Sequence, residues 1–157
     1  MKNMPVHLRW LIRRDMSEVL QIEQTSFCQP LSEEDLIKCL RQRSYIGMVA
    51  EYDERVVGFM IYELHKNQLH VRRFAVGENF RRKTVGHQMV SKLQGKLSKQ
   101  RRNKITLEIE ERNLAGLQFF KSQGFIATSI HENIITMQFY YEKSELSLEN
   151  RIQKFAI

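Results

Sequence analysis

Between Leu69 and Glu110 the hydrophobic period changes twice, and this double switch limits the fold more than any other feature of the chain. Leu69–Val76 reads as a strand. From Thr84 the apolar residues Val85, Met89, Leu93 and Leu97 recur every four positions with Val90 beside them, while Lys92, Lys96 and Lys99 face elsewhere, which predicts an amphipathic helix. Lys104–Glu110 then alternates, with Ile105, Leu107 and Ile109 on one side and Thr106, Glu108 and Glu110 on the other. Strand, helix and strand in succession point to a sheet covered by helices.

The flanking segments extend the same plan. Leu8–Arg14 reads as a strand and Met16–Thr25 as a helix with Val19, Leu20 and Ile22 on its apolar side. Ser32 followed by Glu33, Glu34 and Asp35 has the form of an N-cap with first-turn acids, opening a helix that runs towards Arg43. Ile46–Tyr52 and Val56–Leu64 form a hairpin around Asp53, Glu54 and Arg55. Asn113 caps a further helix through Gln123, ended by Gly124. Phe125–Ile130 and Ile134–Tyr141, joined at His131, Glu132 and Asn133, make a closing hairpin, and Ser144–Ile157 is expected to be helical. The fold class is α/β (α+β): a mixed sheet of six to seven strands flanked by about four helices, in a single domain spanning residues 1–157 with its core at about 8–141.

Composition narrows the function classes. A content of 42% hydrophobic residues over 157 positions suits one globular core. No apolar run approaches the roughly 18 residues of a membrane span, and MKNMPVHLRW lacks the apolar centre of a signal peptide, so a cytoplasmic protein without a membrane partner is expected. Cys28 and Cys39 have neither metal spacing nor a CxxC arrangement and are expected to be reduced, partly buried thiols, with no metal site. The net charge of +7 favours anionic partners in general, ribosomes included, and names none of them.

The chemistry concentrates in FAVGENFRRKTVGHQMV, Phe74–Val90. GENFRRKT differs from the phosphate loop GxxxxGK[ST] by Arg82 where a glycine lets the chain wrap the phosphates, and no later strand ends in the aspartate expected for magnesium. Its cations are contiguous in a turn and no aromatic stacking motif accompanies them, which argues against nucleic-acid binding as the main function. What remains is a strand feeding a basic turn that feeds a helix, whose first amides and dipole, with Arg81, Arg82 and Lys83, suit a pyrophosphate. A merely solvated basic turn is the alternative.

Arg81-Arg82-Lys83-Thr84-Val85-Gly86 resembles the [QR]xxGx[GA] segment of the GNAT acetyltransferases. Ile12–Phe27 is similar to that superfamily's first strand and helix, LHVRRFAV to its fourth strand, and Leu107–Phe125 to its Glu-containing strand, Asn-capped helix and Gly-Phe ending. The segments IEQTSF, LEIEERN and FFKSQGF resemble most the RimI-like branch, the ribosomal-protein N-terminal (alanine) acetyltransferases. The resemblance implies acetyl-CoA as co-substrate and a primary amine as acceptor, foremost a protein N-terminus. It implies that Arg81, Arg82, Lys83, Thr84, Val85 and Gly86 surround the pyrophosphate, that backbone groups of Phe74 and Val76 bond the pantetheine and thioester, and that Asn113 contacts the pantetheine arm. It also implies Glu108 as general base, on the strand face opposite Ile105, Leu107 and Ile109, with Glu110 and Glu111 as nearby alternatives.

Three departures from the family pattern stand out. Thr84 replaces the first motif glycine, and its Cβ crowds the phosphates unless its hydroxyl bonds to one or caps the helix. Phe120, within the expected cofactor-binding set, stands where the branch carries the tyrosine that protonates the thiolate; it has no proton to give, which leaves Tyr140, Tyr141 or water. Only three residues separate Ile130 from Ile134, where the branch carries a longer segment with paired tyrosines. Arg72 and Arg73 either favour an acidic substrate or are edge charges, and His65, His70 and His131 read as structural or solvated. Acetylation of a small amine or lysine side chain, an acetyl-CoA-binding protein with weak catalysis, and ribosome association through the basic surface stay open, as does the choice between monomer and homodimer.

Overall fold

A computed structural model describes residues 3–141; the expected helix at Ser144–Ile157 lies outside the described residues. The elements are β1 (His7–Trp10), α1 (Met16–Ser26), α2 (Glu33–Arg41), β2 (Tyr45–Tyr52), β3 (Arg55–Leu64), β4 (Gln68–Val76), α3 (Val85–Gln94), β5 (Lys104–Glu110), α4 (Leu114–Ser122), β6 (Ile126–His131) and β7 (Ile134–Tyr140). The order is the expected α/β one, with seven strands and four α-helices among the described residues. The mixed sheet has the order β1-β2-β3-β4-β5-β7-β6. The described residues form two compact units, one of residues 3–64 and 71–92, the other of residues 65–70 and 93–141.

In the first unit, β1, β2 and β3 pair antiparallel, with Leu8 opposite Ala50 and Val49 opposite Phe59. Val19 of α1 and Leu36 of α2 join Val49, Phe59 and Ile61 in its buried core. The β2–β3 turn is two residues long, Asp53 (φ 50°) and Glu54 (φ 61°), so Arg55 belongs to the strand. A hairpin that tight needs positive φ at both centres, which matches the right-handed twist of the strands. Ser32 caps α2 by accepting from the Asp35 amide at 3.1 Å. Gly58 has a packing reason: an added Cβ would sit 3.1 Å from both the Met89 sulfur and the Ala75 carbonyl oxygen, so its bareness lets α3 approach the sheet.

The first strand is shorter than the sequence predicts. It ends at Trp10, and Arg13–Asp15 forms a 3₁₀ turn. The cause is Asp15, buried at 3% side-chain exposure and gripped by Arg9 through two bonds, Nη1 to Oδ2 at 2.7 Å and Nη2 to Oδ1 at 2.9 Å. Its Oδ2 also accepts from the Ile12 amide at 2.9 Å, which folds the chain back. Arg9 reaches across to Glu51 of β2 at 2.7 Å, so the turn is tied to the sheet.

In the second unit β7 lies between β5 and β6, antiparallel to both, with Leu107 opposite Met137 and Glu108 opposite Thr136. Phe120, Phe125 and Phe139 pack as an aromatic row, with centroids 5.3 Å apart for the first pair and 5.7 Å for the second. Gly124 ends α4 at φ 94°, where a Cβ would meet the Phe139 ring at 3.1 Å. Thr106, on the polar side of the alternation, is nonetheless buried, because its hydroxyl pairs with His70 Nδ1 at 2.7 Å. His65 and His70 meet edge to face, and His131 is exposed, in keeping with structural and solvated readings. Cys39 is half-buried with its thiol pKa pushed up by burial; Cys28 is exposed, not partly buried as expected, because it sits just past the end of α1.

The hydrogen bond from Arg9, against the opposing effect of burial, holds the Asp15 carboxyl below its ordinary 3.8. A depressed folded pKa contributes stability above the unfolded pKa and loses it as the pH falls through the folded one. Asp15→Asn, which leaves Arg9 without its main partner, is expected to cost about 3 kcal/mol at neutral pH in urea unfolding. The gap to wild type should shrink as the pH drops below 3.8. A gap unchanged between neutral and acid pH would contradict this assignment.

Candidate functional site

The basic stretch lies in the first unit. β4 passes through Gly77 and a 3₁₀ turn at Glu78–Phe80 into the cations Arg81, Arg82 and Lys83, then Thr84 and α3. The Gly77 amide donates to the Val57 carbonyl at 2.7 Å, anchoring the start of the loop on β3. The Phe80 ring holds Arg55 at 5.3 Å and Lys83 at 5.9 Å from its centroid, so an aromatic face gathers cations at the loop.

Two residues of this loop have left-handed backbones, Arg82 at φ 60° and Thr84 at φ 68°. For a β-branched residue that conformation is a genuine outlier, and a backbone turned this way forms anion-binding concavities. Thr84 therefore stands in a glycine's conformation as well as a glycine's place. The Gln88 amide makes the first intrahelical bond of α3, to the Thr84 carbonyl at 3.0 Å. Helix geometry gives the amides of Val85 and Gly86 no acceptor within the helix, and they carry the positive end of its dipole. Val85 is buried, and Gly86 presents only backbone.

The Thr84 hydroxyl is engaged on both sides. It donates to Asn3 Oδ1 at 2.9 Å and accepts from Gln88 Nε2 at 3.2 Å. Arg81 is also engaged, donating through Nε to the Val76 carbonyl at 3.0 Å and through Nη2 to Ser26 Oγ at 3.3 Å. The carbonyl of Val76, expected to meet the pantetheine, is thus already an acceptor. Arg82 stays exposed.

Arg72 and Arg73 on β4 are both ion-paired. Arg72 Nε meets Glu63 at 3.1 Å. Arg73 Nε lies 2.8 Å from Oε1 of the fully buried Glu23, too far from linear to count as a hydrogen bond, and its guanidinium covers the Phe27 ring at 4.4 Å. Glu23 Oε1 accepts from the Leu31 amide at 3.3 Å, while Oε2 has no partner among the described residues. Burial raises the Glu23 pKa, against the opposing pull of Arg73. Arg73 is a half-buried counter-ion and not an edge charge. Sequence reading missed Glu23 because a glutamate inside an amphipathic helix gives no sign of the strand residue that meets it.

The second unit carries the carboxylates. Glu108 is exposed on β5, opposite the buried Ile105, Leu107 and Ile109. Glu110, on the same side, is paired to Arg112 at 2.8 Å, which sets it apart from Glu108. Asn113 caps α4, its Oδ1 accepting from the Gly116 amide at 3.0 Å. Gly116 is fixed by this cap: a Cβ there would lie 2.8 Å from Asn113 Nδ2 and 2.5 Å from Ile109 Cδ1. Phe120 is buried with its ring edge-to-face on Phe119 at 5.0 Å and on Phe125. The Tyr140 hydroxyl is bonded to Gln138 Oε1. Among the described residues no cluster of three His, Cys, Asp or Glu side chains is placed to hold a metal, and no helix is long and apolar enough to cross a membrane.

Against this geometry stand the comparisons with known proteins. Residues 12–125 match the family model described as acetyltransferase (GNAT) family. A ribosomal-protein-alanine N-acetyltransferase of Salmonella typhimurium is 25% identical over 119 residues, covering 76% of this chain and 80% of its own. The crystal structure of the corresponding Escherichia coli enzyme superposes with a TM-score of 0.79 at 20% identity, covering 87% of this chain and 94% of its own. Ard1 from Thermoplasma volcanium gives 0.77 at 25% identity, with 86% and 97% covered. PaiA N-acetyltransferase from Thermoplasma acidophilum, solved in complex with coenzyme A, gives 0.75 at 16% identity, with 88% and 100% covered.

The double duty assigned to Asn113 can be separated. Serine caps a helix about as well as asparagine, whereas alanine does not. Asn113→Ser is expected to keep the wild-type urea midpoint, and Asn113→Ala to lose about 1 kcal/mol. If both variants unfold at the wild-type midpoint, the cap has no energetic weight.

Proposed function

Because the chain belongs to the acetyltransferase (GNAT) family and is an N-acetyltransferase, we propose that it transfers the acetyl group of acetyl-CoA to the α-amine of a protein N-terminus, in the cytoplasm. The observation that carries the cofactor half is the loop at Arg82 and Thr84, whose left-handed backbones lead into α3. Exposed Arg81 and Arg82 with Lys83 supply the charge a pyrophosphate needs, and the helix start supplies amides. The residues fit the group: Arg81 donates to the Val76 carbonyl at 3.0 Å, and the second lone pair of that oxygen leaves room for the pantetheine. The acceptor half rests on likeness to the ribosomal-protein-alanine N-acetyltransferase and to Ard1.

Acetyl-CoA supplies the activated acyl group, and the rest of the chemistry falls to side chains. An amine attacks a thioester only when neutral, so a base must hold the proton it gives up. Glu108 takes that role: it is an exposed carboxylate on β5, with no side-chain hydrogen bond or ion pair among the described residues. Phe120, packed between Phe119 and Phe125, has no proton to donate. Protonation of the departing thiolate therefore falls to Tyr140, Tyr141 or water, and the ease with which a CoA thiol ionises makes a slow acid tolerable. Asn113 holds α4 and contacts the pantetheine arm.

Acetyl transfer to a mixed library of peptide N-termini, read by mass spectrometry, tests this function. Wild type is expected to label a sequence-related subset, and Glu108→Gln to lose at least about a hundredfold in rate while still binding acetyl-CoA. Labelling of free small amines with no peptide labelled would shift the acceptor to a small molecule. A Glu108→Gln rate equal to wild type would remove Glu108 from the chemistry.

A further inference from the structure

The side-chain amide of Gln88, on the first turn of α3, is engaged through both its nitrogen and its oxygen. Nε2 donates to the Met4 carbonyl at 2.7 Å and, in a shared bond, to the Thr84 carbonyl at 3.3 Å and the Thr84 hydroxyl at 3.2 Å. Oε1 accepts from the Val6 amide at 2.9 Å. The segment it holds reaches the loop twice more: the Met4 amide donates to the Lys83 carbonyl at 3.2 Å, and the Asn3 side chain accepts from the Thr84 hydroxyl. Met4 itself is buried, which fixes the segment in place.

These bonds engage the carbonyls of Lys83 and Thr84. In a trans peptide the C=O and the following N–H point in opposite directions. With the Lys83 carbonyl committed to Met4, the Thr84 amide faces away from the N-terminal segment; with the Thr84 carbonyl committed to Gln88, the Val85 amide faces away from Gln88. Thr84 has no intrinsic preference for its φ of 68°, a strained conformation for a non-glycine residue that persists only where the surroundings over-determine it. Gln88 and the segment it clamps are those surroundings.

We propose that Gln88 is a positioning residue for the cofactor: through Thr84, Asn3 and Met4 it holds the loop amides in the direction a pyrophosphate requires, compensating for the missing glycine at position 84. The proposal rests on the acetyl-CoA reading of the loop. It makes the N-terminal segment a working part of the cofactor site, which the loop sequence alone does not suggest.

The test is a double-mutant cycle on the full chain, with wild type, Gln88→Ala, Thr84→Gly and the double variant, using titration calorimetry with CoA together with steady-state rates. Gln88→Ala is expected to weaken CoA about tenfold and to raise the KM for acetyl-CoA similarly, with kcat within about twofold of wild type. In the Thr84→Gly background the same substitution should cost less than about threefold, because glycine takes the left-handed conformation unaided. Gln88→Glu, which keeps the acceptor for the Val6 amide but no donor, should reproduce the loss and covers the case in which alanine impairs folding. Unchanged CoA affinity in Gln88→Ala and Gln88→Glu, or an equal loss in both backgrounds, overturns the proposal. If wild type binds no CoA, the acetyl-CoA reading fails and the proposal falls with it.

Discussion

A chain that leaves a strand and enters a helix within a few residues has to reverse its direction, and here it does so through left-handed backbones at Arg82 and Thr84. The features that give the first unit its chemistry follow from that constraint. It sets the start of α3 at Val85, so that Val85 and Met89 are buried, and it places the cations Arg81, Arg82 and Lys83 directly ahead of the helix start. Glycine would adopt this path freely. The chain has threonine and arginine instead, and holds the path by outside contacts: Gly77 anchored on Val57, Arg81 on Val76 and Ser26, and Gln88 on Thr84 and Met4.

Local signals made much of the fold legible. Ser32 and Asn113 reveal two helix starts because their side chains accept the orphan amides that every helix exposes. The alternation in β5 gives both the strand and the side on which Glu108 lies, since the pleat fixes that side once Ile105, Leu107 and Ile109 are buried. Both two-residue hairpin turns lack the Asn-Gly or Asp-Gly signature, using Asp53–Glu54 and Glu132–Asn133 at positive φ, so their lengths could not be read from composition.

What the sequence concealed depends on partners far along the chain. Gln88 bonds residues 82 and 84 positions away, and no spacing rule connects a glutamine on a helix to an N-terminal segment. The end of β1 is set by Asp15, Arg9 and Glu51 together, of which only the first two are neighbours in sequence. The buried Glu23 and its counter-ion Arg73 join a helix to a strand and leave one carboxylate oxygen without a partner among the described residues. Such pairs cost desolvation and are poor sources of stability. Thr84 was visible as a departure from the family pattern, but only the backbone shows that it keeps the glycine's conformation while losing its side-chain economy.

The proposed function requires the basic loop ahead of α3 to hold the pyrophosphate of acetyl-CoA. Calorimetric titration of wild type with acetyl-CoA and, in parallel, with S-acetylpantetheine, which has the thioester and pantetheine but no phosphate, tests it most directly. Saturable binding of acetyl-CoA is expected, with an affinity for S-acetylpantetheine at least about a hundredfold weaker, since the charge-assisted bonds of the loop are lost. Equal affinities for the two molecules, or no binding of acetyl-CoA, would contradict it.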